Sequence, residues 1–292
     1  MGGMRALVLC YRAPTMKRAL EMIESGPYRG AAKLTVQSLE IPATGPTPAY
    51  VPRTGWPAWA VLPAGFLIFA IAAVFGVIGS FAAAMFLAMT GSSLSPDAVP
   101  HSVIVSGLGA QQIGVIVLTI LFAGFFASNR VETLALRAPR GGWGMLVLLL
   151  VPLFAITGAW SAFMWWWRPE VVLGDLRIFS ELLHGESGIL ALLIIAVGAP
   201  LSEELLFRGF LFSGLAKSRL GLIGTSVLTA VLWTTLHYGY SIFGLLEVLA
   251  IGLYFSWLLV RTGSLWAPIF SHAVYNTVIG LVLYFVTLPP PA

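Results

Sequence analysis

Three short patterns in the C-terminal half of the chain combine side chains that could perform acid–base chemistry. The first is Glu203-Glu204-x-x-x-Arg208, which lies inside an apolar stretch. Glu204 and Arg208 are four residues apart with the acid first, which is the favourable order for an ion pair along a helix. Glu203 is rotated by about 100° from its neighbour in helical geometry. We therefore expect Arg208 to neutralise Glu204 and to leave Glu203 available for other partners.

The second and third patterns each place a histidine one helical turn from an aromatic or polar side chain. Trp233 and His237 are four residues apart, as are His272 and Asn276, so each pair shares one face of a helix. His272 and Asn276 could donate hydrogen bonds to a single oxygen atom. A structural interpretation stays open for both pairs, because histidines near helix ends often only pack and asparagines often join membrane helices.

Together the patterns supply an acid, an imidazole and an imidazole–amide pair, a set suited to activating a water molecule. The sequence has no Gly-x-Ser-x-Gly turn for a nucleophilic serine and no His-Glu-x-x-His zinc motif. Cys10 is the single cysteine, so an internal disulfide and a cysteine-rich metal site are both excluded. The alternative is that the acids and Arg208 form only a structural network, although Glu203 has no local cation to neutralise it.

The segments that must position these residues are membrane helices. Only 10% of the 292 residues are charged, against about 25% in a soluble domain, which excludes a water-soluble enzyme and a disordered chain. None of the apolar stretches shows a two-residue alternation. We therefore expect an all-α, polytopic transmembrane helix bundle of about seven or eight spans, with the active site among the C-terminal helices. The seven apolar stretches lie at 59–90, 101–127, 143–167, 188–215, 221–238, 243–260 and 265–287.

The polar segments predict the domain organisation and the orientation. Residues 1–55 form a basic N-terminal tail and linker with a short helix at 15–25, and residues 56–292 form the transmembrane domain, whose motif-bearing core is 188–285. The tail and alternate loops hold thirteen basic residues, whereas the remaining loops and the C-terminus hold two. The excess predicts a multi-pass membrane protein with a cytoplasmic N-terminus and a C-terminus outside, in the plasma membrane if the source is prokaryotic.

The three patterns, in this order on successive C-terminal helices, resemble the CPBP family. This CAAX protease and bacteriocin-processing family, also called the Abi family, includes the type II CAAX prenyl endopeptidases. The resemblance covers residues 188–285 and extends to Arg261-Thr-Gly-Ser-Leu-Trp-Ala-Pro. Trp233 is a mild departure, since many members have phenylalanine there, and residues 1–55 have no counterpart.

The resemblance implies a membrane-embedded endopeptidase. Glu203 would activate a water molecule with help from His237, and the water would attack the scissile carbonyl. His272 and Asn276 would stabilise the resulting oxyanion. The residues that would hold the motif helix and shape the site are Glu204 and Arg208.

The resemblance also bears on cofactors. The family is often labelled metalloprotease, whereas a metal-free, glutamate-dependent mechanism is favoured for it, so no cofactor is required. A divalent ion such as Zn²⁺, held by Glu203, His237 and His272, is the minority interpretation. Glu247 lies outside the three patterns and could support the site from a distance.

Two other functions stay open. A non-catalytic immunity or scaffold protein on the same fold would keep its cellular phenotype after Glu203→Gln. A transporter or channel would need acids spread along a path through the membrane, whereas here they cluster in short motifs.

The expected partners of the endopeptidase are the lipid bilayer and a membrane-associated or lipidated peptide or protein, with no nucleic acid. Prenylated tails, bacteriocin leaders and membrane-protein segments would all fit an apolar groove.

Overall fold

A computed structural model describes residues 49–91 and 99–289 of the chain, and in this part it contains helices and no strands. The all-α fold class expected from the sequence is confirmed. Residues 1–48, with the short helix predicted at 15–25, lie outside the described residues. We number the helices α1 (Ala58–Met89), α2 (His101–Phe122), α3 (Arg130–Thr133), α4 (Gly144–Trp167), α5 (Pro169–His184), α6 (Gly188–Leu215), α7 (Gly221–Thr235), α8 (Ile242–Thr262) and α9 (Trp266–Phe285).

Six helices in the described part are long and apolar enough to cross a membrane: α1, α2, α4, α6, α8 and α9. The prediction of seven or eight spans is therefore too high. The fifth apolar stretch forms α7, which has only 15 residues. At about 1.5 Å per residue, such a helix is several ångströms shorter than a bilayer core. It ends at Thr235 because the chain turns over residues 236–240 before α8 begins.

Most of the basic loops meet at one end of the bundle. Arg53 forms an ion pair with Glu132 at 2.9 Å, and Lys217 Nζ donates to the carbonyl oxygen of Thr54 at 2.7 Å. Arg137 Nε donates to the carbonyl oxygen of Gly263, also at 2.7 Å. These contacts join the segment before α1 to the α2–α4, α6–α7 and α8–α9 connections. We call this end of the bundle the basic face.

The segment before α1 packs onto the bundle at the basic face. Tyr50 and Trp56 are buried, and the Tyr50 amide donates to the carbonyl oxygen of Val260 at 3.3 Å. The Trp56 indole donates to the carbonyl oxygen of Phe122 at 2.8 Å. The last residues of the predicted tail therefore contact the transmembrane helices directly.

The other chain connections meet at the opposite end of the bundle. The Ser102 hydroxyl donates to Glu186 Oε1 at 2.7 Å, and this bond holds the pKa of Glu186 below its usual range. Arg177 donates to the carbonyl oxygen of Pro289 at 2.9 Å. Asp175 accepts from both the backbone amide and the hydroxyl of Ser241, each at 2.7 Å. Because α5 supplies two of these contacts, this amphipathic helix lies at the end of the bundle away from the basic face.

Candidate active site

A fully buried ion pair lies at the centre of the first motif. Arg208 Nη1 donates to Glu204 Oε1 at 3.1 Å, and neither side chain is exposed. Arg208 also donates to the carbonyl oxygen of Gly252 at 3.1 Å and lies 4.6 Å above the Trp233 ring. The arginine thus joins α6 to α8 and α7, and the geometry agrees with the expected pairing of Glu204 with Arg208.

Glu204 has a second partner that the sequence patterns did not predict. His272 Nδ1 lies 2.9 Å from the same oxygen, Oε1, so one carboxylate contacts both Arg208 and His272. The imidazole is buried at 4% exposure and packs 5.0 Å from the Phe255 ring. Because a carboxylate can only accept from Nδ1–H, the Nε2 atom of His272 is the ring nitrogen left for another partner.

Glu203 is oriented by the second motif. The indole Nε1–H of Trp233 donates to Glu203 Oε2, so α7 holds the carboxylate of α6. The Trp233 ring lies 4.9 Å from the His237 ring and 5.5 Å from the His272 ring. Phenylalanine, which the resemblance led us to expect at position 233, has no N–H and could not make this bond. The departure at this position therefore adds a contact to the site.

His237 lies just beyond the end of α7, in the turn that leads to α8. Its Nδ1 atom lies 3.2 Å from the carbonyl oxygen of Trp233. A carbonyl only accepts, so Nδ1 carries the proton, and in the neutral ring Nε2 carries a lone pair. The nitrogen away from Trp233 is therefore the one that can accept a proton from water.

Asn276 contacts a break in the helical hydrogen bonding of α6. Residues Ile194–Gly198 form a π-helical segment that ends two residues before Pro200. In that register the Ile195 carbonyl would pair with the amide of residue 200, and proline has no N–H. Asn276 Nδ2 donates to this carbonyl oxygen at 2.9 Å. The amide has a second N–H, so it can satisfy Ile195 and still donate once more.

The four predicted catalytic residues line one cavity of about 570 Å³. Glu203 reaches it from α6, His237 from the turn after α7, and His272 and Asn276 from α9. Glu204 and Arg208 do not line this cavity; they lie behind it, in the packed interior.

The cavity also has polar walls that the motifs did not predict. Glu247 lines it from α8 and accepts a hydrogen bond from the Tyr275 hydroxyl at 3.4 Å. Asp175 lines it from α5, and Gln112 lines it from α2. Glu247 was already conspicuous as an acid in an apolar stretch, whereas neither of the other two stands out by type or spacing in the sequence. Only the packing of α2 and α5 reveals them.

The described side chains are not grouped as a metal site. Within residues 49–91 and 99–289, no three histidine, cysteine, aspartate or glutamate side chains are grouped so that they could hold a metal ion. Glu203, His237 and His272 line one cavity, but their described hydrogen bonds are to Trp233 and Glu204 instead of a common centre. No step of the proposed chemistry therefore uses a divalent ion.

The comparison with protein families agrees with the motifs and their geometry. Residues 185–278 match the family model described as type II CAAX prenyl endopeptidase Rce1-like. This match supports the assignment of the segment to the CAAX protease (CPBP) family. The segment contains all three motifs, and the resemblance inferred from them is confirmed. No curated protein and no solved structure matches the chain.

The family match supports an intramembrane endopeptidase function in general terms. The six long apolar helices of the described residues support an integral, multi-pass membrane protein. The matched residues run from the end of α5 to the middle of α9. Helices α1, α2 and α4 lie before the matched segment, yet α2 and α4 contribute to the cavity wall. The first three spans thus act partly as scaffold and partly as a wall of the cavity.

Proposed function

We propose that this chain is an intramembrane endopeptidase that hydrolyses a peptide bond with a water molecule activated by Glu203 and His237. The observation that carries the proposal is that Glu203, His237, His272 and Asn276 line one cavity although they come from three separate parts of the sequence. The family match supports the reaction class.

The hydrogen bonds of the site suggest how the water would be activated. The water donates one hydrogen bond to the Glu203 carboxylate and a second to Nε2 of His237. Glu203 takes a proton as the water oxygen bonds to the scissile carbonyl carbon. When the carbon–nitrogen bond breaks, that proton passes to the leaving amine and the carboxylate is restored. Trp233 keeps Glu203 in one orientation during both transfers.

His272 and Asn276 would stabilise the negative oxygen of the tetrahedral intermediate. Glu204 accepts from Nδ1–H of His272 and so holds the ring with its Nε2 atom free, and in the protonated ring Nε2–H would donate to the oxyanion. The second N–H of the Asn276 amide is the other donor. Removing one such donor in other hydrolases lowers the rate by roughly 10²–10³-fold.

The same site limits the substrate. The cavity lies among helices whose outer surfaces are apolar, so its substrate is a peptide held at the membrane by its own anchor or by an attached lipid. The orientation that we propose has the basic face, and with it the N-terminus, on the cytoplasmic side. The proposed partners are thus the bilayer and a membrane-associated or lipidated peptide or protein.

Replacement of Glu203 by glutamine tests the mechanism. Peptides that accumulate in cells producing the wild-type protein but not the Glu203→Gln variant would be identified by mass spectrometry. The purified proteins would then be assayed in liposomes on the corresponding substrate. We expect cleavage to be lost in Glu203→Gln and kept in Glu181→Gln, a matched change at an exposed glutamate of α5. Undiminished cleavage by purified Glu203→Gln would refute the mechanism.

A further inference from the structure

Helix α5 ends at His184, directly before the residues that match the family model, and it carries none of the three motifs. One face of this helix nevertheless lines the catalytic cavity at positions 171, 175 and 179, which are four residues apart. All the α5 side chains in the cavity wall are apolar except that of Asp175. A carboxylate in an apolar wall is costly unless it has hydrogen-bond partners. The partners of Asp175 therefore indicate its role.

Asp175 binds the residue that caps α8. Its two carboxylate oxygens accept from the backbone amide and from the hydroxyl of Ser241, each at 2.7 Å. Ser241 is the N-cap residue of α8, and its hydroxyl oxygen accepts from the Gly244 amide at 3.1 Å. The hydroxyl thus donates to Asp175 and accepts from Gly244. One carboxylate of α5 therefore fixes both the start of α8 and the end of the turn before it.

The turn that Asp175 fixes carries His237. The Tyr240 amide donates to the carbonyl oxygen of His237 at 2.9 Å, and Ser241 follows directly. The Tyr240 ring lies 5.5 Å from the His237 ring and 5.9 Å from the ring of Phe179, one helical turn after Asp175. Helix α5 therefore holds the backbone of the turn through one residue and an aromatic side chain of the turn through another.

Close packing at Gly244 agrees with this role. Gly244 lies in the first turn of α8, and a Cβ atom at this position would overlap Oδ2 of Asp175. Glycine is less favourable than alanine inside a helix. The approach of the carboxylate to the backbone of α8 explains why this position has no side chain.

We infer that Asp175 is a positioning residue for His237 and acts through Ser241 and the turn between α7 and α8. The inference rests on the proposed function for the role of His237 in activating water, whereas the contacts of Asp175 are independent of it. The residue that orients the histidine thus lies outside the matched residues 185–278.

The imidazole NMR spectrum of the full-length protein in detergent micelles tests the inference without cleavage. The chain has four histidines, so labelling with ¹⁵N-histidine gives few signals, and His237→Gln and His272→Gln identify those of the two cavity residues. In the neutral wild-type ring, the bond from Nδ1–H to the Trp233 carbonyl should hold His237 in one tautomer.

Asp175→Leu removes both acceptors at similar volume. We expect the two ring-nitrogen shifts of His237 to converge in this variant, because the displaced ring mixes its tautomers. The shifts of His272 should stay in place, since Glu204 holds that ring from α6. Asp175→Asn keeps one acceptor for Ser241 and should shift the His237 signals less. Glu181→Leu, at an exposed acid of the same helix, should not shift them.

Unchanged His237 signals in Asp175→Leu would overturn the inference. Equal changes at His237 and His272 would also overturn it, because they would show a general loss of packing. If Asp175→Leu does not fold, Gly244→Ala perturbs the same contact from α8, since the added methyl group displaces the carboxylate. Convergence of the His237 shifts is expected there too, and unchanged signals would count against the inference equally.

Cleavage gives a second measure once the Glu203→Gln comparison has identified a substrate. Asp175→Leu should lower kcat by up to about 10²-fold with KM nearly unchanged, because a displaced proton acceptor slows the reaction without weakening binding. A raised KM with unchanged kcat would make Asp175 a substrate contact and would overturn the positioning role. If purified Glu203→Gln still cleaves, the proposed mechanism fails, while the NMR spectra still decide whether Asp175 orients His237.

Discussion

Removing the guanidinium of Arg208 should be one of the most destabilising single changes in this chain. The side chain has no exposed surface and pairs with Glu204, which is equally buried. Arg208→Met keeps an apolar side chain of similar length but leaves the Glu204 carboxylate without its cation and the Gly252 carbonyl without its donor. Breaking a buried ion pair from one side costs about 3–5 kcal/mol. That corresponds to roughly two to three and a half powers of ten in the unfolding equilibrium.

The measurement is equilibrium unfolding of the purified protein in mixed micelles of mild detergent and dodecyl sulfate, followed by far-UV circular dichroism. Arg168→Met is the matched control, because Arg168 pairs with Glu170 on the surface, with side chains 48% and 59% exposed. We expect the unfolding free energy of this control to stay unchanged, since surface ion pairs contribute little.

A double variant separates loss of charge pairing from loss of packing. Glu204→Gln together with Arg208→Met removes both buried charges, while the amide oxygen at 204 can still accept from His272. We expect this protein to be more stable than Arg208→Met alone, because no uncompensated charge is buried. If the double variant is as unstable as Arg208→Met or less stable, the buried carboxylate is not the source of the destabilisation and the reasoning is wrong.

Three further predictions concern the cavity. Trp233→Phe keeps an aromatic ring but removes the hydrogen-bond donor to Glu203. Because hydrogen bonds to charged groups contribute about 1.5–3 kcal/mol, kcat should fall by roughly 10–100-fold with KM nearly constant. Trp166→Phe, at an exposed tryptophan, is the control, and equal activity of the two variants would contradict the prediction. Asn276→Leu leaves the Ile195 carbonyl unpaired and should lower the unfolding free energy by about 1–3 kcal/mol in the same micelle assay. An unchanged unfolding free energy would show that this hydrogen bond does not stabilise the protein. Treatment with 1,10-phenanthroline should leave cleavage unchanged in the purified protein, and loss of cleavage that added Zn²⁺ restores would favour the metal interpretation.

The sequence predicts the helical class and the motif geometry well because both depend on local periodicity. Glu204 and Arg208 pair as their four-residue spacing suggests, since both side chains lie on one helix. The bond from Trp233 to Glu203 joins residues 30 positions apart and depends on how α6 and α7 pack, which no spacing rule contains. The same holds for the contact of His272 with Glu204, which lie 68 positions apart.

The count of spans failed for a different reason. Hydropathy treats residues 221–238 as one apolar stretch, whereas hydrogen bonding ends α7 at Thr235 and the chain then turns. Apolar residues in a turn and in a helix contribute equally to a hydropathy average, so the average does not show where the helix ends. His237 lies in that turn, which is why its position in the cavity could not be deduced by counting residues along a helix.

The two π-helical segments of α6 determine where this helix can lose a residue without moving its two acids. A π-turn contains one residue more than an α-turn, so each offsets the following residues by about 100° relative to a continuous α-helix. The piece Ala199–Glu204, which carries both acids, lies between the segments Ile194–Gly198 and Leu205–Leu211. A single-residue deletion within Ile194–Gly198, or after Arg208 in Leu205–Leu211, can be absorbed by a return to α-geometry there. The same deletion within Ala199–Glu204 would rotate an acid out of its place, so gaps in related sequences belong at the π-segments.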